Sequence, residues 1–510
     1  MIATKIQNYL LKSFDIRLLG FILSLFMSAL WFCYHQPINV DGMLYLQAAQ
    51  KFIDEGFKAS MAIYSWPFYP IIIALLSIMT GLSVVTSAYF LTSLLIAFII
   101  VNFITVIKDL GGDKITQIIA CFMILMFPTL AHERYEIFRD FGYYAFGLLS
   151  IHYLLLYQNN AKLRFALIWG LTSCIATLFR IEGLVFQFVM PFILFFSRHI
   201  IGKQRILYVI KAQSVNLCLL VLLLILYFTH ASTQDWGRLS NFLSSDNLAK
   251  LSENFASYLL IIKTNFNVFI AQDAKTILIS AMVGIAIKNI LVAITPINAF
   301  LSCYGFNLVP WQKDQKLIIY GYIILNVIII ASFVWSAFFL VTRYVLFLAL
   351  LFLLFVPFTV KAVIERWQRN KQALSENIRI GCVMLGLAFL SLNSIFLVGA
   401  NKSYIIEAGN WIKTNTNVNA RLFTTEIKLI YYADRPGSRY PDDFPYGVGV
   451  NFFTIKNIDF KKYDYAAIAV TKNYIPEALK LFKEFHLETV KTFTNNKEDV
   501  IYILKTTSIS

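Results

Sequence analysis

Long apolar runs broken by short polar connections set the pattern of this chain up to about residue 400. Runs of spanning length, roughly 17–25 residues, fall at 17–36, 84–107, 115–130, 142–157, 165–180, 183–197, 206–229, 276–300, 317–341, 344–360 and 380–399. They predict about eleven membrane crossings. The run at 67–80 opens with WPFYP and is only about fourteen residues long, which fits a helix lying in the interface better than a crossing. From about residue 401 the pattern becomes that of a soluble domain of roughly 110 residues, with helical spacing at 404–413 and 476–485 and strands at 421–425, 466–471, 490–493 and 500–504. The segment DRPGS at 434–438 reads as a turn. The expected fold is a polytopic α-helical membrane protein over 1–400 followed by a small α/β domain over 401–510.

Composition agrees with the pattern. With 58% hydrophobic and 14% charged residues, the chain is no ordinary soluble protein. Its net charge of +15 does not mark a nucleic-acid binder, because the basic residues fall in short clusters between apolar runs. If 67–80 does not cross, those clusters lie in the N-terminus, 108–114, 158–164, 198–205, 301–316 and 361–379, all on one side, which the positive-inside rule makes cytoplasmic. Asp41, Glu133, Asp140, Arg180, Glu182, the loop 230–275, Arg343 and the C-terminal domain then share the external side of the plasma membrane. Lys5, Lys12 and Arg17 precede a spanning run without a small-residue cleavage site, so the first helix reads as a retained signal anchor. The six cysteines and six histidines are scattered without CxxC or HExxH spacing, which speaks against a disulfide framework and a histidine-bound zinc.

Charge placed beside hydrocarbon is costly, on the order of 2.5–3.5 kcal/mol for Asp, so the charged junctions are the candidate chemistry. Asp41, in VDGMLYL at 40–46, stands one turn from Tyr45 if the segment from Gly42 to Glu55 is helical. It reads either as a helix N-cap or as a catalytic carboxylate. In HERYEIFRD at 132–140, a helical reading puts Glu133, Glu136 and Asp140 on one stripe, with Arg134 and Arg139 among them. The bland alternative is an exposed loop with weak ion pairs. LFRIEGL at 178–184 offers Arg180 for a bidentate phosphate contact and Glu182 to hold its guanidinium in place. Arg343 and Tyr344, in VTRY at 341–344, stand at another external junction, with snorkelling as the alternative for the arginine. Lys288 lies inside an apolar run, as a phosphate ligand or as a sign that the run is misplaced.

Together, an acid after the first span, an Arg-Asp pair in a second acidic loop, an L-x-R-x-E-G segment, a Thr-Arg-Tyr late in the membrane region and a polar C-terminal domain resemble the GT-C glycosyltransferases. The protein O-mannosyltransferase and aminoarabinose transferase group, family 39-like, is the most similar. The resemblance implies inverting transfer of a hexosyl or pentosyl group from a polyprenyl-phosphate-linked donor to a lipid, glycan or protein acceptor outside the membrane. Asp41 and Asp140 are then catalytic. Arg180 and Arg343 hold the carrier phosphate, and Tyr45, Glu133, Arg134, Arg139, Glu182, Lys288 and Tyr344 bind substrate. Many members have two adjacent acids where this chain has Asp41 and Gly42, which leaves the acceptor and any divalent metal open. No P-loop or nucleotide fingerprint is present, consistent with a leaving group already on lipid. The rival readings are a transporter or flippase of an anionic or lipid-linked substrate and a non-catalytic membrane scaffold.

Overall fold

A computed structural model describes residues 15–32, 36–197, 202, 204–228, 246–370, 372–395, 402–435 and 459–506. Lys5, Lys12, Cys33, His35, His199, His230, residues 231–245 of the long loop and residues 436–438 of the expected turn lie outside them.

The helices follow the apolar pattern. In chain order they are α1 Ile16–Phe32, α2 Val40–Glu55, α3 Phe57–Ile63, α4 Phe68–Thr80, α5 Val84–Asp109, α6 Lys114–Leu125, α7 Pro128–His132, α8 Asp140–Asn160, α9 Leu163–Phe179, α10 Gly183–Ile193, α11 Gln204–Ala212 and α12 Ser214–Phe228. They continue with α13 Asp246–Asn265, α14 Val268–Gln272, α15 Ala274–Ile294, α16 Pro296–Gly305, α17 Lys313–Ala337, α18 Thr342–Leu353, α19 Val356–Arg369 and α20 Leu374–Ile395. Among the described residues five stretches are long and apolar enough to cross a membrane: Val84–Asp109, Ala274–Ile294, Lys313–Ala337, Thr342–Arg369 and Leu374–Ile395. Shorter apolar helices include α1, α4, α6 and α9. Local chemistry sets the ends. Ser83 accepts from Thr86 N at 3.1 Å and caps α5, Asp113 accepts from Thr116 N at 3.0 Å and caps α6, and Gly81 closes α4 in the left-handed conformation at φ 71°.

Several expectations need correction. The run 276–300 is broken at Thr295, whose φ of 67° and following proline end α15 and start α16. The segment 361–379 is not all loop, because helix persists to Arg369. The loop 230–275 contains α13 and α14. Residues 133–139 form irregular turns, so Glu133, Glu136 and Asp140 do not share a helical stripe.

The described residues fall into two compact units. The first comprises Met1–Ala29, Ala48–Arg134 and Phe138–Leu397, and the second Leu30–Gln47, Tyr135–Ile137 and Val398–Ser510. In the first, α8 is the central helix. Apolar around its whole circumference, it buries Tyr144, Leu148, Ile151, Leu154 and Leu155 against its neighbours. Asn102 on α5 donates to the Ala145 carbonyl at 2.9 Å, a polar tie between two helices in an apolar setting.

The second unit holds more than the tail. Its sheet runs β1-β2-β4-β3, where β1 is Leu422–Thr424, β2 Tyr465–Val470, β3 Leu487–Thr494 and β4 Val500–Thr506. β1 pairs parallel with β2, and β4 pairs antiparallel with both β2 and β3. Strand periodicity sends Ala466, Ile468 and Val470 to the side of helix Ile475–Glu484, and Ala467 to the side of helix Ser403–Asn415 with Ile405 and Ile412. The segment before α2 belongs here as well: Ile38 N donates to the Tyr432 hydroxyl at 2.8 Å. Asn39 accepts from Ile137 N at 2.9 Å and donates to the Ile137 carbonyl at 3.2 Å, so the 133–139 connection is clasped by the segment before α2.

Candidate functional site

The site in the first unit is built around Arg180. α9 ends at Phe179, and α10 starts at Gly183 with Glu182 at its entry. The three-residue turn between them leaves the Arg180 and Glu182 side chains together, with Nε donating to Oε2 at 3.2 Å and Nη2 to Oε1 at 2.5 Å. Asp140, in the first turn of α8, takes a further hydrogen bond from Arg180 Nη1. Close helix packing makes this pairing reachable. A Cβ at Gly142 would lie 2.3 Å from the Phe179 ring, so glycine lets the start of α8 sit directly on the end of α9. Arg180 and Asp140 are buried, with side chains 8% and 5% exposed, while the Glu182 side chain is 26% exposed. Burial alone would push the Glu182 carboxyl up, yet the Arg180 guanidinium overrides it and holds the group well below the usual carboxylate range.

Aromatic rings complete the surround. The Arg180 guanidinium lies 4.6 Å from the Tyr344 ring centre and 5.9 Å from that of Tyr143. Arg343 shares the same tyrosine, at 5.1 Å from Tyr344 and 4.5 Å from Phe138, and its Nη2 reaches the Tyr344 hydroxyl at 3.4 Å. Tyr144 donates to the Arg343 carbonyl. Two guanidinium groups thus share one ring. Beside them opens a cleft of about 380 Å³, counted to its mouth, lined by Tyr143 and Tyr144 from α8, Arg180 and Glu182, Asn326, Ile329, Ile330 and Phe333 from α17, then Leu340 and Tyr344.

The other sequence candidates distribute as follows. Arg139 lies over the Tyr64 ring at 5.6 Å and contributes to holding Glu182 ionised. Arg134 is only 3% exposed and its Nη1 is held by Ser24 and Ser28 of α1, away from the cleft lining. Glu133 is half-buried in the turn that follows α7. Lys288 is exposed on the surface of α15 and does not line the cleft. Asp41 and Tyr45 belong to the second unit. There Asp41 is the second residue of α2 rather than its cap, the preceding position being Asn39, and Tyr45 is buried. The missing second acid has a steric reason: a Cβ at Gly42 would stand 2.6 Å from Asn39 Oδ1 and 3.0 Å from Ile137 Cβ. Sequence reading passed over Tyr143, Tyr144, Phe333 and Asn326. The aromatic run FGYYAFG at 141–147 and an asparagine within the span at 317–341 were the available signals.

The two acids of the cluster, Asp140 and Glu182, both hold Arg180, and among the described residues no three His, Cys, Asp or Glu side chains gather as metal ligands. The donor set here does not fit a divalent ion.

No family model matches the sequence, and no curated protein matches it. Solved structures do. The oligosaccharyltransferase of Archaeoglobus fulgidus, in complex with Zn and sulfate, superposes with a TM-score of 0.51 at 12% identity, over 86% of this chain and 59% of that one. The same enzyme tethered to an acceptor peptide gives 0.50 at 12% identity, over 85% and 61%. The chain has the GT-C fold. ArnT from Cupriavidus metallidurans overlays more loosely, at 0.38 and 11% identity over 98% of both chains, and adds nothing to that assignment. The chain spans about three fifths of the archaeal enzyme's length, 59% and 61% in the two structures. Within the GT-C fold of this chain, the Arg180 cluster occupies the start of α8, the α9–α10 turn and the start of α18.

Proposed function

We propose that this protein is a membrane glycosyltransferase that moves a hexosyl or pentosyl group from a polyprenyl-phosphate-linked donor to a lipid, glycan or protein acceptor on the external face of the plasma membrane, with inversion. The observation that carries this reading is the buried Asp140–Arg180–Glu182 cluster at the edge of an aromatic-walled cleft in a GT-C fold.

The chemistry follows from charge. A sugar phosphodiester carries one negative charge, and the departing lipid phosphate gains a second as the anomeric bond breaks. Donors fixed beforehand where that charge grows lower the barrier more than they tighten ground-state binding. Arg180 has five N–H donors, of which Asp140 and Glu182 take three, leaving two for phosphate oxygens. In this mechanism Asp140 and Glu182 position the guanidinium rather than exchange protons. Arg343, sharing Tyr344, supplies the second cation. On the sequence resemblance alone, Asp41 is the candidate for the base that takes the proton of the acceptor hydroxyl or amine. Phosphate departs without a protonating acid, so the paired-carboxylate rule of glycosidases does not apply.

The test uses the full-length protein in nanodiscs with undecaprenyl phosphate-linked sugars and a membrane extract as acceptor source. Donor-dependent release of undecaprenyl phosphate, lost in Asp41→Asn and Arg180→Met proteins of unchanged elution profile, is expected. A protein that carries donor across the bilayer while leaving it intact would be a flippase, and the transferase reading would fall.

A further inference from the structure

The cleft contains a polar group that the mechanism above does not use. Asn326 lies near the middle of α17, a helix long and apolar enough to cross a membrane, and is 3% exposed. Its Oδ1 is buried and accepts no hydrogen bond among the described residues. A buried carboxamide oxygen with no protein partner calls for one from outside the chain, a ligand or an ordered water, where leucine would call for none. A bilayer-depth polar side chain of this kind is expected to meet a ligand or a neighbouring helix. Asn326 lines the cleft together with Tyr143, Tyr344 and the Arg180–Glu182 pair.

The lining also defines what fits. Its guanidinium suits phosphate and its carboxamide suits a hydroxyl. Resting on the transferase reading, we infer that Asn326 reads one hydroxyl of the transferred sugar, so that the cleft selects a pyranosyl phosphate bearing a free hydroxyl at one ring position. Asn326 is thereby a specificity-determining residue. A site built to bond a hydroxyl rejects the analogue lacking it far more strongly than an apolar pocket rejects an added one.

The experiment measures kcat/KM of the full-length protein in nanodiscs for undecaprenyl phosphate-linked glucose, mannose and galactose and for each monodeoxy derivative of the sugar transferred best. It compares the wild type with Asn326→Leu and Asn326→Asp and records the thermal midpoint of each. The wild type should disfavour one deoxy donor by about tenfold to a hundredfold. Asn326→Leu should lose that much on the parent donor, nothing on the matching deoxy donor, and unfold at the same temperature or higher. Asn326→Asp, which keeps an acceptor, should retain the preference. Equal losses across all donors in Asn326→Leu, or a lower midpoint with unchanged preference, would make Asn326 a helix-packing residue and overturn the inference alone. If the wild type consumes no donor while its membranes still show specific donor binding or flipping, the transferase reading fails and takes the inference with it.

Discussion

The side chain of Asn39 and the backbone of Ile137 form a closed pair of hydrogen bonds, the amide of Ile137 donating at 2.9 Å and its carbonyl accepting at 3.2 Å. Asn39 is 8% exposed, so neither bond is readily replaced by water. This clasp fixes the approach to α2, where Asp41 stands, to the middle of the 133–139 connection. Asn39→Asp keeps the acceptor but turns a second oxygen toward the Ile137 carbonyl, and Asn39→Ala leaves both backbone groups without their partner. Each should cost about 1–3 kcal/mol, read as a lower thermal midpoint in detergent. An unchanged midpoint for Asn39→Ala would mean that the clasp contributes nothing.

That clasp also explains where sequence reasoning failed. The i, i+3, i+7 spacing of Glu133, Glu136 and Asp140 is sound arithmetic for a helix, but a helix would need the Ile137 amide and carbonyl that Asn39 occupies. Side-chain capture of a backbone by a residue about a hundred positions away leaves no local trace. The membrane helices were legible because apolar length is a local property, as was the Arg180–Glu182 pair, two residues apart in a turn. Asp140 meeting Arg180 depends on Gly142 and Phe179, a steric match that pattern alone does not expose. Asn326 was visible in principle as an amide in an apolar span, yet attention to charges hid a neutral polar group.

Gly142 sits where any Cβ would be 2.3–2.5 Å from atoms of the Phe179 ring. That ring cannot swing aside freely, being 2% exposed, edge-on to Phe68 at 5.1 Å and stacked on Phe146 at 5.9 Å. Gly142→Ala should therefore destabilise by about 1–3 kcal/mol through overpacking and draw Asp140 off Arg180, lowering sugar transfer as well. Adding Phe179→Leu should restore much of both. Recovery of stability without activity would show that helix separation is not what sets the Asp140 contact.

Arg435 fastens the end of the helix Ser403–Asn415: its guanidinium donates to the Asn417 carbonyl, to the Thr416 hydroxyl and, at 3.4 Å, to the Ile412 carbonyl. The Ile412 carbonyl already accepts from Thr416 N at 3.1 Å and Thr416 Oγ1 at 2.6 Å, so the guanidinium chiefly ties down the Thr416–Asn417 exit from the helix. Arg435→Met keeps the stem and deletes these donors, at a cost of about 1–2 kcal/mol. Faster amide exchange concentrated at 412–420 in the full-length protein would bear this out. Uniform protection across that segment would refute it.

Arg180 is held by two carboxylates, and the three groups act as a unit. Removing one partner from a buried pair leaves a charge uncompensated, typically at about 3–5 kcal/mol. Here the other carboxylate remains, so Asp140→Asn and Glu182→Gln should each be tolerated better than the double variant. Their coupling energy should be clearly non-zero in a thermal or denaturant cycle. Arg180→Lys cannot span both acids and keep a planar fork for phosphate, so transfer should fall at least about a hundredfold while the protein still folds. The pH dependence has a definite sign. The Glu182 carboxyl is lowered from an ordinary value of 4.5, so its stabilising pairing is complete above that pH and lost as pH falls through the lowered value. The wild type should therefore hold its midpoint from neutral pH down to the ordinary carboxylate range and lose it only in stronger acid, whereas Glu182→Gln should show less of that acid loss. Identical acid profiles for the two proteins would remove Glu182 from the set of groups that fix Arg180.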